Sequence, residues 1–178
     1  IERHFGDGAA FGAKITYQRE KDLLGTAGSV KYAQGFFDET FLVIGCDDLT
    51  DMDLSYLLGF HRRAGALATI AVCPVADTTH FGVVNAAPDG RILGFVEKPK
   101  PEEAPTNLAN TGVYLFEPEI MNYIPAGEFY DFGRQVFPAL AQAREPFYAC
   151  QMRCKWRDIG TIQEYLQANF DLLDEAAP

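Results

Sequence analysis

The chain has 178 residues, which is enough for one domain whose hydrophobic core needs no support from disulfides or metals. Its 15 Lys and Arg against 25 Asp and Glu give a formal net charge of −10, which disfavours nucleic acids and anionic membrane surfaces as partners. The sequence contains no apolar run of about 18 residues, so a transmembrane helix is excluded.

The first half of the chain alternates predicted strands with a helix. Residues 13–18 predict a short strand, and residues 41–46 (FLVIGC) form an apolar run typical of a central strand that is covered on both faces. A helix should begin at Thr50, because Thr50-x-x-Asp53 resembles a capping box and leucines recur on one face beyond it. Residues 67–73 (LATIAVC) predict a second buried strand.

The middle of the chain predicts a β-hairpin. Two β-rich runs, residues 81–85 and 91–96, flank an Asp-Gly turn. Residues 99–106 are charged and rich in proline, which predicts a surface loop. Residues 110–116 then return to a strand.

The last part of the chain predicts two helices with a strand between them. A helical pattern begins at Asp131 and contains Pro138, which should kink or break it. Residues 147–151 predict a short strand. The sequence Thr161-x-x-Glu164 forms a capping box, which predicts the start of the last helix.

Buried strands that alternate with helices predict an α/β fold. We expect a Rossmann-like three-layer sandwich whose mixed sheet is mostly parallel and carries the inserted hairpin. Residues 1–178 then form one domain. The chain starts with IERH, without an initiator Met or an apolar signal core, so we expect it to be cut from a longer polypeptide.

Two segments lie where ligands often bind in such folds. Residues 25–29 (GTAGS) combine glycines with the free amides of a helix start, which suits a phosphate, although a plain turn and cap would use the same residues. Asp47 and Asp48 directly follow the first buried strand. A carboxylate at that place suits Mg²⁺, and a turn or helix cap accounts for the pair equally well.

Two further segments carry charged groups at the ends of elements. Glu97 and Lys98 end the hairpin, where a lysine can bind a phosphate and a carboxylate can accept sugar hydroxyls; a solvated ion pair is the simpler explanation. Asp158 precedes the last helix, as either a second metal ligand or a loop-stabilising residue. Trp156 is expected in the core.

The 4 cysteines and 3 histidines are scattered. There is no Cys-x-x-Cys pair, which argues against a zinc site. Cysteines that end apolar runs are expected to be buried thiols, so we expect a reducing, cytoplasmic setting.

The order of the motifs is more specific than any one of them. Six segments follow one another: GTAG from residue 25, DDLTDMDL from 47, FGVV from 81, EKP from 97, NTGVY from 110 and WRDIGT from 156. This series resembles the sugar-1-phosphate nucleotidylyltransferases, and most of all the mannose-1-phosphate guanylyltransferases, over nearly the whole chain. The helix sequence YLQANFDLL from residue 165 is also similar to that family.

The resemblance implies transfer of a nucleotidyl group from an NTP, first of all GTP, to a sugar 1-phosphate such as mannose 1-phosphate. Mg²⁺ is the implied cofactor and pyrophosphate the second product. Asp47 and Asp158 match the family's metal-binding aspartates, and together with Lys98 they are the expected catalytic residues. The matching substrate-binding positions are Glu20 and Gly25 for the nucleobase, Gly82, Glu97 and Lys98 for the sugar and its phosphate, and Asn110, Thr111 and Gly112 for the edge of the sugar pocket.

The sequence departs from the family pattern in two places. The family's Gly-rich loop with an Arg, G-x-G-T-R-L-x-P-L-T, and a later Lys are absent, so we expect the N-terminal βα units to be missing and this chain by itself to be inactive. Gly45 and Cys46 precede Asp47, where many members have Asn-Gly or Ser-Gly. The alternatives are a glucose-1-phosphate thymidylyl- or uridylyltransferase, or a non-catalytic regulatory relative that binds sugar nucleotides. A homo-oligomer is compatible with each.

Overall fold

A computed structural model describes residues 1–176, so residues 177 and 178 of the predicted domain lie outside the described residues. Short helical turns connect several of the elements. None of the described helices is both long and apolar enough to cross a membrane. The α-helices are α1 (Glu2–Phe5), α2 (Gly25–Tyr32), α3 (Leu54–Ala64), α4 (Phe137–Ala143) and α5 (Ile162–Ala176).

The strands form one large sheet and one small ribbon. The sheet has the order β5-β4-β6-β3-β7, with β1 also paired to β6, and the ribbon consists of β2 and β8. The strands are β1 (Phe41–Ile44), β2 (Asp48–Thr50), β3 (Ala68–Pro74), β4 (Gly82–Ala86), β5 (Ile92–Glu97), β6 (Leu108–Phe116), β7 (Phe147–Gln151) and β8 (Trp156–Asp158).

The mixed sheet and its hairpin, β4 and β5, confirm the predicted fold class. We expected a mostly parallel sheet, and this was wrong, because most neighbouring strands pair antiparallel. β6 runs antiparallel to β1, β3 and β4, and β3 with β7 is the one parallel pair that the described strands form. β1, β3, β4 and β7 do point the same way, but β6 separates most of them.

Helices cover both faces of the sheet, which gives the predicted three layers. Successive β6 residues alternate between two apolar clusters, since Tyr114 and Phe116 belong to one and Val113 and Leu115 to the other. The first cluster packs against α2, α4 and a π-helix over Phe132–Val136, and the second packs against α3. Burial on both faces accounts for the apolar run of β3. The expectation that residues 41–46 form a central strand covered on both faces was wrong, because among the described strands β1 pairs with β6 alone and its Leu42 and Ile44 side chains are exposed. Cys46, which was expected to be a buried thiol, is exposed as well.

Two predicted elements in the first half differ from the structure. Residues 13–18 are not a strand, because no neighbouring strand pairs with them in the described chain, and the Ile15 amide instead donates to the carbonyl of Asp7 at 2.8 Å. Thr50 does not begin a helix; it lies in β2 and its hydroxyl donates to the Lys155 carbonyl. The true N-cap is Asp53, which accepts from the Tyr56 amide at 2.9 Å.

The caps of the later helices follow the sequence more closely. Asp131 accepts from the Arg134 amide at 3.1 Å and so begins the π-helix. Pro138 lies in the first turn of α4, where no backbone donor is needed, so it starts a helix where a kink or break was predicted. Thr161 accepts from the Glu164 amide at 3.1 Å, which confirms the predicted cap of α5.

Candidate active site

All predicted site residues except Glu20 and Gly25 converge on one cleft of about 230 Å³. It opens where the ribbon meets the end of β1, the start of β4, the end of β5 and a kink in β6. Its lining is polar, with carboxylates on one side and the end of the hairpin on the other. The lining residues are Gly45, Asp47, Asp48, His80, Phe81, Gly82, Glu97, Lys98, Asn110, Thr111, Gly112, Trp156 and Asp158.

The ribbon brings together three aspartates, Asp47, Asp48 and Asp158, which we call the acidic wall. Asp48 and Asp158 are register partners in the ribbon, and the Ile159 amide donates to the Asp47 carbonyl at 2.8 Å. Burial raises the pKa of Asp48 to about 6, and the negative charges of Asp47 and Asp158 add to that effect. Burial, followed by the charge of Asp47, also raises the pKa of Asp158.

Trp156 orients the most buried carboxylate of this wall. Its indole Nε1 donates to Asp48 Oδ1 at 2.9 Å and to the Thr111 carbonyl at 3.1 Å. Its ring meets Phe81 edge-to-face, with 5.1 Å between the ring centroids. Trp156 is half-buried and packs against the second apolar cluster, in line with the expectation of a core residue, and it also lines the cleft, because its N–H has polar partners there.

The acidic wall has the chemistry of a magnesium site. No group of three His, Cys, Asp or Glu side chains within residues 1–176 is arranged as a complete metal cage. Mg²⁺ instead commonly binds one or two carboxylates together with waters and substrate phosphates. The carboxylates of Asp47 and Asp158 are hard oxygen donors whose mutual repulsion a cation would relieve, so these residues fit that group.

The opposite side of the cleft, which we call the hairpin wall, consists of Gly82, Glu97 and Lys98. Burial raises the pKa of Glu97, and the charge of Asp131 adds to the effect while Lys98 opposes it. Lys98 has φ of 46°, in the left-handed region that non-glycine residues seldom adopt, and its amide donates to the Phe81 carbonyl at 3.1 Å. The backbone thus pays a conformational cost to place Lys98 at the end of the hairpin.

Glycines make room for the Glu97 carboxylate. A Cβ on Gly133 would stand 2.6 Å from Glu97 Oε2. A Cβ on Gly82 would meet the Phe95 ring first and would also stand 2.9 Å from Glu97 Oε2. A side chain at Gly133 therefore requires this carboxylate to shift, and one at Gly82 requires the Phe95 ring to shift as well. Gly133 belongs to the π-helix, so that helix positions the hairpin wall from behind.

The floor of the cleft is a kink in β6 at Asn110, Thr111 and Gly112. Gly112 has φ of 77°, and its amide donates to Asn110 Oδ1 at 3.1 Å. The Thr111 hydroxyl is buried and donates to the Ala71 carbonyl at 2.8 Å, opposite an irregularity in β3. The side-chain Nδ2 of Asn110 donates to the Tyr114 hydroxyl at 3.0 Å. Asn110 and Gly112 therefore face the cleft, while Thr111 anchors the kink to the sheet.

Comparison with known proteins identifies the family. A sequence model described as nucleotidyl transferase matches residues 1–175. The chain belongs to the nucleotidyl transferase family. It is 43% identical over 182 residues to a UTP–glucose-1-phosphate uridylyltransferase of Synechocystis sp., covering 94% of this chain and 47% of that protein. It is 36% identical over 180 residues to a mannose-1-phosphate guanylyltransferase of Mycobacterium tuberculosis, covering 100% of this chain and 50% of that protein.

Solved structures share the fold of this nucleotidyl transferase chain. A structure from Bacillus anthracis, described as a glucose-1-phosphate thymidylyltransferase, has a TM-score of 0.82 at 23% identity, with 94% of this chain and 69% of that one covered. An apo UDP-glucose pyrophosphorylase has a TM-score of 0.78 at 23% identity, with coverages of 99% and 70%. The chain spans about half the length of the curated relatives it matches.

Two residues that the family resemblance singled out lie outside the cleft. Glu20 is exposed and accepts from the Leu24 amide at 3.2 Å. Gly25, at the start of α2, has φ of 72°, and a Cβ there would stand 2.7 Å from the Tyr130 carbonyl oxygen. The structure brings neither to the acidic wall. The Thr26 hydroxyl, next to Gly25, donates to Asp131 at 2.9 Å.

Several cleft residues escaped sequence reasoning. Asp48 was visible beside Asp47, but the ribbon register that buries it pairs it with a residue in the last quarter of the chain. His80 and Phe81 line the cleft from the turn before β4; His80 carries no motif, and Phe81 opens the FGVV segment but was given no role of its own. Gly133 was hidden because its role depends on a distant carboxylate. For all four, the missing information was the pairing of distant segments.

Proposed function

We propose that this chain supplies the sugar-phosphate site and the metal-binding aspartates of an enzyme that transfers a nucleotidyl group from an NTP to a sugar 1-phosphate, releasing pyrophosphate. The observation that carries the proposal is the juxtaposition of the acidic wall and the hairpin wall across one small cleft. Because the chain spans about half of its curated relatives, this activity is proposed for the longer protein.

The hairpin wall has the groups needed to hold the acceptor. Lys98 is exposed and provides the cation for the sugar phosphate, through a charge-assisted hydrogen bond. Glu97 is half-buried beside it and can accept hydrogen bonds from sugar hydroxyls. The Asn110 side chain and the Gly112 backbone add polar groups along the floor. Together these residues orient the acceptor phosphate toward the acidic wall.

The reaction joins two anions, because an oxygen of the sugar phosphate attacks the α-phosphorus of the NTP. No covalent intermediate with the protein is required, so positioning and neutralisation of charge account for the rate. Asp47 and Asp158 would hold Mg²⁺, and the bound cation would supply that neutralisation. The residues themselves hold the reactants in place and keep Asp48 paired with Trp156.

Two pairs of substrates are equally supported, and we propose both. The sequence resemblance favours GTP with mannose 1-phosphate, and the guanylyltransferase relative supports it. The relative that is 43% identical supports UTP with glucose 1-phosphate. Thymidylyl transfer and a non-catalytic regulatory role are the remaining alternatives, and the retained Asp47, Lys98 and Asp158 favour catalysis over the latter. A cytoplasmic location and self-association stay predictions.

The decisive experiment is an assay of pyrophosphate release by the longer protein with a panel of four NTPs and dTTP, each with mannose or glucose 1-phosphate. We expect one NTP and sugar pair to be turned over in a Mg²⁺-dependent manner. Omission of the sugar phosphate is the matched control, because hydrolysis of the NTP would persist without it. A protein that binds these ligands but turns over none of the pairs would contradict the proposal and support the regulatory alternative.

A further inference from the structure

Two cysteine thiols that are distant in the sequence lie in contact behind the acidic wall. The Sγ atoms of Cys73 and Cys154 are 3.4 Å apart, although 81 positions separate the residues along the chain. Cys73 lies near the end of β3, and Cys154 lies in the connection between β7 and β8. Neither residue belongs to the lining of the cleft.

The two thiols differ in their access to solvent. Cys73 is buried, whereas Cys154 is half-buried. Burial raises the pKa of Cys73 to about 12, and the neighbouring Cys154 adds to that effect. A buried thiol beside an accessible one is the arrangement in which the accessible sulfur meets an oxidant and the buried sulfur then resolves the product.

We propose that Cys73 and Cys154 form a reversible disulfide when the protein meets a hydroperoxide. The S–S bond of a disulfide is about 2.0 Å long, so the two sulfur atoms must approach by a little more than 1 Å. Cys154 lies in a bend without regular secondary structure. The Met152 amide is hydrogen-bonded to β3 and the Lys155 amide to Asp51, so the displacement must come from the two residues between them. β3 cannot move as easily, because it is paired on both sides.

The chemistry balances with peroxide as the oxidant. Cys154 loses its proton to solvent, and its thiolate attacks one peroxide oxygen. The O–O bond breaks, which leaves a sulfenic acid on Cys154 and a hydroxide or alkoxide that takes up a proton. The Cys73 sulfur then attacks Cys154 Sγ, the S–O bond breaks, and the departing hydroxide leaves as water with the Cys73 proton. The two sulfurs together lose two electrons, which reduce the peroxide.

This disulfide would act on the acidic wall through the short segment that follows Cys154. Trp156 lies two residues further on, and its Nε1 donates to Asp48 Oδ1 at 2.9 Å. Asp158 lies at the end of the same strand. A displacement of Cys154 toward β3 therefore pulls on the strand that carries both residues, and we expect oxidation to change the surroundings of the indole.

The test uses the 178-residue chain, exposed to hydrogen peroxide, alkylated and analysed by peptide mapping with mass spectrometry. We expect one linked pair of peptides, containing residues 73 and 154, which dithiothreitol separates again. Cys154→Ser and Cys73→Ala should each abolish the link, whereas Cys46→Ser, which removes an exposed thiol elsewhere, should leave it intact. Circular dichroism checks that each variant is folded. A link through Cys46 or Cys150, or four alkylated thiols after peroxide, would overturn the proposal.

Trp156 is the only tryptophan of the chain, so its fluorescence reports on the coupling to the cleft. We expect a change of emission that appears with the same rate constant as the disulfide, reverses with dithiothreitol and is absent in Cys154→Ser. A disulfide that forms without any change of emission would refute the coupling to the acidic wall. The whole test is independent of substrate turnover and so does not rest on the proposed reaction.

Discussion

The two walls of the cleft use carboxylates in opposite ways. The acidic wall brings three carboxylates together at a ribbon of two three-residue strands, where burial, and after it the neighbouring negative charges, raises the pKa values of Asp48 and Asp158. The hairpin wall holds one carboxylate, Glu97, beside a lysine on the end of a longer and regularly paired hairpin. Under the proposed function, one wall would receive a cation, and the other would hold a ligand with both hydroxyls and a phosphate. Substitutions on each wall should separate these roles.

The largest effect is expected from the acidic wall. In the longer protein, Asp47→Asn and Asp158→Asn should each lower kcat by about 10²–10³-fold. Each substitution removes a charged oxygen that would hold the metal, and the metal would neutralise the negative charge of the transition state. Steady-state kinetics at varied Mg²⁺ measures the effect. Asp38→Asn, at an exposed aspartate outside the cleft, is the matched control and should leave kcat unchanged. Near-normal kcat in both acidic-wall variants would rule out the metal site.

The next effect is expected from the hairpin wall and should fall on binding. Lys98→Ala removes a charge-assisted hydrogen bond worth about 1.5–3 kcal/mol, so the affinity for the sugar 1-phosphate should fall roughly 10- to 150-fold. Isothermal titration calorimetry should show an almost unchanged affinity for the NTP. Lys100→Ala serves as the control, since that lysine is exposed and lies outside the cleft. An equal loss for both ligands would mean that Lys98 is not a specific sugar-phosphate contact.

A smaller effect should follow when the support of the hairpin wall is changed. Gly133→Ala places a methyl group 2.6 Å from Glu97 Oε2, so this side chain must turn away. We expect a several-fold rise of KM for the sugar 1-phosphate with kcat nearly unchanged. Gly94→Ala provides the control, because a Cβ there meets nothing within 4 Å. The interpretation fails if KM for the NTP rises by as much as KM for the sugar 1-phosphate.

The smallest effect concerns stability and isolates the charge of the acidic wall. The pKa of Asp48 is raised from its usual value of 3.8 to about 6, so between these pH values the folded state binds more protons than the unfolded state. Stability contributed by this group is therefore lost as pH rises through that window. In the absence of metal, the difference in Tm between Asp48→Asn and wild type should increase in favour of the variant as the pH rises from 4 to 7. Differential scanning calorimetry that finds a constant difference would contradict the assignment.

The sequence predicts the elements of this protein better than their pairing. The strands β1 and β3, the hairpin and the cap at Thr161 could be predicted because apolar runs, turn residues and caps are local signals, whereas the burial predicted for β1 was wrong. The extended segment at residues 13–18 could not be distinguished from a strand, since only a neighbouring strand would make it one.

The same limit applies to the candidate site. Motif order placed Asp47, Glu97, Lys98 and Asp158, and all four line the cleft. The proximity of Asp48 to Trp156 depends on the pairing register of two segments that lie 108 positions apart, which no local pattern encodes. Glycines were also ambiguous. Gly25 makes room for a backbone carbonyl, whereas Gly133 makes room for a carboxylate, and only the structure separates the two uses.

The ribbon also has a consequence for synthesis of the protein on the ribosome. Trp156 and Asp48 are 108 positions apart, so the acidic wall cannot close until nearly all of this chain has been made. At about 5–20 residues per second, Asp47 and Asp48 wait roughly 5 to 20 seconds for the strand that carries Asp158. During that interval β2 has no partner, and a nascent chain has only half of the proposed metal site. Binding of a cation at the proposed metal site would thereby be deferred until the strand that carries Asp158 has been made.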